Sequence, residues 1–517
     1  MKKQRLIALL VMLLATLSVA GAEPVRLVVN VVISGAREND LARYESGFKS
    51  GGFERLLGGE RYTSAFYDFA PTTPSALATL STGALPSMHG IVGEGWWNYT
   101  SGAYTSSVED SSYSTFGADS KESRVANGNL IFETIGDVVV RSVKGAKSVS
   151  VATTPSSAII LGGLEPTEVW WLDSLSGRWT TSTKYKTSLP KWVTKYNASG
   201  VLRQQLGNPW VLSRPDKEFV NESSVVAKPY GYKQPKEERK KSPTSGDLAS
   251  LIYSHVANSM VADFAKESII YNRLGGDSAV DVLNVCFDSP RKIAERYGLS
   301  SREVEDMYYR LDELLADFMT FASAQASGKI LFTLTTDGGV REVRDESKVF
   351  NVAQARFLMN SFLSATYGKG DWVLGYKNGG VWLNHTLIFA RGLEVETLQR
   401  QIATFALGMR GVSHAVVAAD MMAGDVKEGL VATVQRGFHP KRSADVTLVM
   451  MPDWCEGESG AAPKTSTSQP YAPYRKAMMA FCGTGVEQRV VTEKMDMRNF
   501  VVLLAERLGV ELPLGAE

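Results

Sequence analysis

The sequence predicts an α/β fold with a parallel core, on three observations. The runs "RLVVNVVI" (26–33), "VDVLNVCF" (280–287) and "KILFTLTT" (329–336) are nearly continuously apolar, the pattern of strands covered on both faces. Between the last two lies "SSREVEDMYYRLDELLADFMTF", where Val304, Met307, Tyr308, Leu311, Leu315 and Phe318 keep helical spacing. A buried strand, a long amphipathic helix and a second buried strand make a parallel crossover. The 517 residues, 44% of them hydrophobic, suffice for one large elaborated domain or two domains.

The elements follow in chain order. Residues 1–22, "MKKQRLIALLVMLLATLSVAGA", join Lys2, Lys3 and Arg5 to a short apolar run and the small residues Ala20-Gly21-Ala22, the form of a cleaved export signal. This predicts an exported protein, periplasmic or secreted, with its folded domain over 23–517. The first buried strand ends at Ser34-Gly35. Residues 70–97, "APTTPSALATLSTGALPSMHGIVGEGWW", place Thr73 before a proline at the entry of a small-residue helix, a setting for a nucleophile or an N-cap. An insertion over about 160–245 carries Trp170, Trp171, Trp179, Trp192 and Trp210, and its "KQPKEERKKSPTSG" reads as an exposed loop. Ser300 and Glu303 suit a capping box for the long helix. Over about 350–450, strand-like runs such as "VWLNHTLIFA" and "SADVTLVMM" predict a smaller sheet-containing module.

Composition excludes several function classes. Without its signal the chain has a net charge of −2, and no later apolar run is long enough for a membrane helix, so neither a nucleic-acid partner nor a membrane span is expected. Cys286, Cys455 and Cys482 lie in separate segments and predict buried thiols, with one Cys455–Cys482 bridge as the alternative. The five histidines are His89, His255, His385, His414 and His439, and none neighbours Ser34, Arg291 or Asp337 in sequence.

The ordered segments "SGARENDLARY", "TTPSALATLSTG", "PSMHGIVGEGWW", "VCFDSP…YGLSSREVEDMYYRLD", "LFTLTTDGGV" and "GFHPKRSADVTLVM" together resemble the alkaline phosphatase superfamily. They are most similar to its secreted phosphate-irrepressible alkaline phosphatases and phosphodiesterases with a Thr nucleophile. The resemblance implies a central, mostly parallel sheet flanked by helices. It also implies two zinc ions held by three Asp and three His, clamping the attacking and leaving oxygens of a phosphoryl transfer.

Residue by residue, the resemblance puts Thr73 at the nucleophile and most metal positions on unsuitable side chains. The first-strand Asp falls on Ser34. An Asp and a His four residues later fall on Arg291 and Glu295. The Asp-His pair becomes Asp337-Gly338, and the last His falls on Thr467. The Lys and Arg that grip phosphate become Thr154 and Ser156, and a phosphate-contacting Asn becomes Glu94, which would repel a dianion.

These substitutions predict an exported pseudoenzyme with no zinc cofactor, retained to bind a protein or small molecule or for assembly. The alternative is a hydrolase rebuilt around Thr73 and Asp337, either metal-free or using one metal on Asp337 with Asp288 or Glu295. The charge pattern further predicts that Arg291 pairs with Asp337, Glu295 or both. Oligomeric state and the ligand's identity are not encoded in any motif.

Overall fold

The computed structural model describes residues 24–117, 124–173, 176–200, 210–221, 250–466 and 469–516. The signal segment, the whole of the charged loop 233–246 and Thr467 lie outside the described residues.

A nine-stranded mixed sheet forms the centre. Its order is Arg489–Val491, Glu60–Tyr62, Met479–Gly483, Ile330–Thr335, Leu27–Ile33, Asp281–Phe287, Ser148–Ala152, Glu168–Asp173 and Arg178–Thr180. The middle strands are parallel, and antiparallel pairs appear only towards the two edges. The strand Leu27–Ile33 is buried at every residue, and alternation sends Val29, Val31 and Ile33 into one core and Val28 and Val32 into the other. Helices His255–Asn272 and Arg302–Gln325 cover the first face; Thr73–Thr82, Pro155–Gly162 and Asn499–Leu508 cover the second.

Asn30 interrupts the apolar run and fixes its register. Its amide donates to Asn284 Oδ1 at 2.8 Å and accepts from Thr333 Oγ1 at 3.0 Å, in a rung where the three residues are directly paired. Buried amides tolerate no slip, because a shifted strand would leave them unsatisfied. With this register the carboxyl ends of the central strands finish together, and Ser34, Thr153, Asp288 and Asp337 emerge on one edge, the usual place for a site in an open α/β sheet.

Several local expectations change. The strands Glu168–Asp173 and Arg178–Thr180 extend the central sheet, because Trp170 and Trp171 alternate between its two cores and Trp179 pairs alongside. The long helix is capped by Ser301, whose Oγ accepts from Val304 N at 3.3 Å. Ser300 bonds Glu342 instead, and Glu303 is buried. The run "VWLNHTLIFA" splits into the strand Gly380–Leu383 and a short helix His385–Ala390, because Asn384 accepts from Leu387 N and starts a turn. That strand belongs to a four-stranded antiparallel sheet with Val373–Lys377, Val412–Val417 and Val446–Met450, the smaller module. The Cys455–Cys482 bridge does not form: Cys455 sits in a small strand pair, Cys482 in the central sheet, and all three cysteines are buried free thiols.

Candidate functional site

Thr72 caps the helix Thr73–Thr82 through a reciprocal capping box with Ser75, which leaves Thr73 at the first helical position rather than as the cap. The Thr73 hydroxyl donates to Asp337 Oδ2 at 2.6 Å. Asp337 is fully buried and also accepts from Ser34 Oγ at 2.6 Å and Gly35 N at 2.7 Å. Arg291 grips the same carboxylate with two nitrogens, Nη2 to Oδ1 at 2.9 Å and Nε to Oδ2 at 3.2 Å. Its Nε also lies 3.1 Å from Ser34 Oγ, and its Nη2 donates to Gly338 O at 3.3 Å. The guanidinium thus lies between the Ser34 and Asp337 strand ends, 7% exposed.

The backbone is shaped around this arrangement. Gly35 has φ +73°, and a Cβ there would stand 2.9 Å from Arg291 Cβ, so a glycine lets the arginine close in. Gly338 has φ +98°, and its Cβ would meet Pro71 Cγ at 2.7 Å. A histidine at 338 would therefore be both strained and obstructed.

Burial alone would push the Asp337 carboxyl up, but the Arg291 charge and the bonds from Arg291, Ser34 and Thr73 outweigh it and hold it below the usual range. A carboxylate so stabilised is a weak base. Thr73 has the geometry of a nucleophile beside a base, without a base strong enough to activate it.

The remaining positions point elsewhere. Glu295 pairs with Lys292 at 2.8 Å, so Arg291 bonds Asp337 and not Glu295. Asp288 is buried and accepts from Thr153 N, Thr153 Oγ1, Thr154 N and Ser157 Oγ at 2.6–3.0 Å. It anchors the start of the helix Pro155–Gly162, and burial pushes its pKa up despite these donors. Thr154 caps that helix, with Ser156 Oγ 3.4 Å from its hydroxyl. Glu94 is exposed, in the turn before the strand Gly95–Asn98. His89 is fully buried, with Nδ1 accepting from Ile91 N at 3.1 Å and Nε2 3.0 Å from Thr79 Oγ1, so it braces the helix Thr73–Thr82.

This donor set does not fit a zinc pair. Asp337 offers its oxygens to five protein donors, Asp288 is spent on a helix end, and the Arg291 guanidinium sets a permanent cation among them. Among the described residues no three His, Cys, Asp or Glu side chains stand close enough to share a metal ion. Sequence reasoning missed Thr153, Ser157 and Lys292, which hold Asp288 and Glu295; only Ser157, spaced as a helix-capping partner of Thr154, carried a local signal.

Comparison with known proteins places the chain. Residues 28–468 match the family model of type I phosphodiesterases / nucleotide pyrophosphatases. A protein of Myroides odoratus named calcium-transporting ATPase is 27% identical, over 97% of this chain and 95% of its own. Alkaline phosphatase PafA of Elizabethkingia meningoseptica is 26% identical, over 95% of this chain and 93% of its own. A crystal structure of wild-type PafA superposes with a TM-score of 0.86 at 25% identity, covering 96% of this chain and 98% of that one. The chain belongs to the type I phosphodiesterase / nucleotide pyrophosphatase family, within the alkaline phosphatase superfamily and on its PafA-like branch.

Proposed function

We propose that this protein is an exported alkaline phosphatase-like pseudoenzyme, which has lost two-zinc phosphoryl transfer and persists as a binding or assembly protein. One observation carries the reading: the buried Arg291 guanidinium takes Asp337 bidentately where the family resemblance calls for metal ligation. Support also comes from Gly338, whose backbone resists the missing imidazole, and from the neutral side chains Thr154 and Ser156 where phosphate-gripping cations are expected. Export rests on the form of residues 1–22. Among the described residues no helix is long and apolar enough to cross a membrane.

A second reading, a metal-free hydrolase using Thr73 with Asp337 as base, draws on their 2.6 Å hydrogen bond. It is disfavoured by the lowered Asp337 pKa, since a base works best when its pKa lies near the working pH. The test pairs elemental analysis after zinc loading with turnover of aryl phosphate mono- and diesters by parent and Thr73→Ala. The expected result is substoichiometric zinc and equal, background-level rates. Two tightly held zinc ions per chain, or turnover that Thr73→Ala abolishes, would overturn the proposal.

A further inference from the structure

Beside the altered site, a cleft of about 120 Å³ runs from Thr72 and Glu94 across to the smaller module, where Lys377, Asn378 and Trp382 line it. Tyr104 forms a wall of the same cleft, its ring edge-on to Trp382 at a centroid distance of 6.1 Å. This wall is built in. A Cβ on Gly95 would stand 2.9 Å from Tyr104 Cε1 and 2.2 Å from Thr105 O, so only a glycine lets the ring lie across the strand beside Glu94.

The charges of the cleft are unusual in being opposite and uncombined. Arg291 is committed to Asp337 and Lys292 to Glu295. Glu94 and Lys377 have no ion-pair partner among the described residues, and the cations that bear on Glu94 are Lys292 and Arg291 first and Lys377 after them. Tyr104 joins them: Lys377 Nζ lies 5.8 Å from its ring centroid, and the Glu94 charge bears on its phenol. Lys377 and Asn378 are presented by a tight Asn378-Gly379 turn with φ +47° and +77°, which joins the strands Val373–Lys377 and Gly380–Leu383. Asn378 lines the same cleft, and its amide has no hydrogen-bond partner among the described residues.

We infer that this cleft binds a small zwitterion, a free α-amino acid of the size of glycine, alanine or serine. Its ammonium pairs with Glu94, its carboxylate pairs with Lys377 and the Asn378 amide, and the Tyr104 ring lies against the atoms between. The volume agrees: a cavity of ~150 Å³ takes benzene, so the space here holds roughly five non-hydrogen atoms, those of glycine, and the open side of the cleft leaves room for the one or two more of alanine or serine. A phosphate dianion would gain Lys377 and lose to Glu94. The inference deepens the proposed function and rests on its view of the molecule as a binding protein, but its test reads binding alone.

Calorimetric titration of the purified protein with glycine, L-alanine and L-serine is the experiment, with methylammonium, acetate and inorganic phosphate as comparators. At least one amino acid is expected to bind with a Kd below about 1 mM, and methylammonium and acetate each at least about tenfold more weakly. Glu94→Gln and Lys377→Met, both solvent-facing changes, should each weaken the amino acid at least about tenfold while leaving the melting temperature unchanged. No heat from any of the three amino acids, variants that bind as the parent does, or phosphate binding more tightly than alanine would overturn the inference. Hydrolysis of an aryl phosphate would sink the proposed loss of activity without touching these binding outcomes, so the two failures are distinguishable.

Discussion

Arg291→Ala is expected to destabilise the fold by about 3–5 kcal/mol, the usual result of stranding a buried charge by removing its partner. Asp337 is fully buried, and without the guanidinium its carboxylate keeps only Ser34, Gly35 and Thr73 as donors. Part of the loss is packing, since the arginine stem lies against Gly35. Urea unfolding of parent and variant measures the effect. Arg291→Lys keeps the charge but not the two-pronged grip, and should fall between them. The double variant Arg291→Ala/Asp337→Asn should lose clearly less than the two single changes added together, because the amide no longer strands a charge. If Arg291→Ala unfolds at the parent's midpoint, the ion pair does not fill the site.

This ion pair was legible in the sequence as a charge argument, but its partner was only half resolved. Arg291 and Glu295 lie four residues apart, a spacing that brings side chains together on a helix, and nothing local shows that Lys292 takes Glu295 first. Asp337 reaches Arg291 only because the strands Leu27–Ile33, Asp281–Phe287 and Ile330–Thr335 end level. That level finish depends on the Asn30, Asn284 and Thr333 rung, a long-range contact invisible in any window of the chain. The central strands themselves were plain, because burial on both faces leaves an unbroken apolar run.

Caps and edges were harder to place. Adjacent hydroxyls at Thr72-Thr73 and Ser300-Ser301 offer two candidates each, and tertiary contacts decide: Asp337 takes Thr73, Glu342 takes Ser300, and the other member caps. The tryptophans at 170, 171 and 179 read as an insertion because aromatic density masks the period-two alternation that puts them in the sheet. Asp288 read as a metal candidate from its residue type. Its real task, anchoring the helix after Thr154, required the neighbouring strand's end to be in place.

Stability should respond to acid through two groups of opposite sign, the buried His89 and the half-buried Glu456. His89 is held down to about 3, first by burial and then by the Arg442 charge, and its Nδ1 already accepts from Ile91 N, so protonation breaks a bond as well as burying a charge. Below the ordinary histidine value of about 6.5 the unfolded chain takes a proton that the folded one refuses, so stability falls with pH, by about 3 kcal/mol at pH 4.5. Glu456 behaves oppositely. Burial pushes it up to about 7, against the bonds from Tyr376 and Gly379 N, so between about 7 and 4.5 the folded state holds a proton that the unfolded chain has lost. Falling pH therefore returns up to about 3 kcal/mol through Glu456. The two nearly cancel in the parent and separate in variants. Relative to the parent, His89→Gln should gain stability between pH 7.5 and 4.5 while Glu456→Gln loses it, as read by urea unfolding at both pH values. Parallel rather than opposing trends, or differences independent of pH, would show that neither group titrates as its burial dictates.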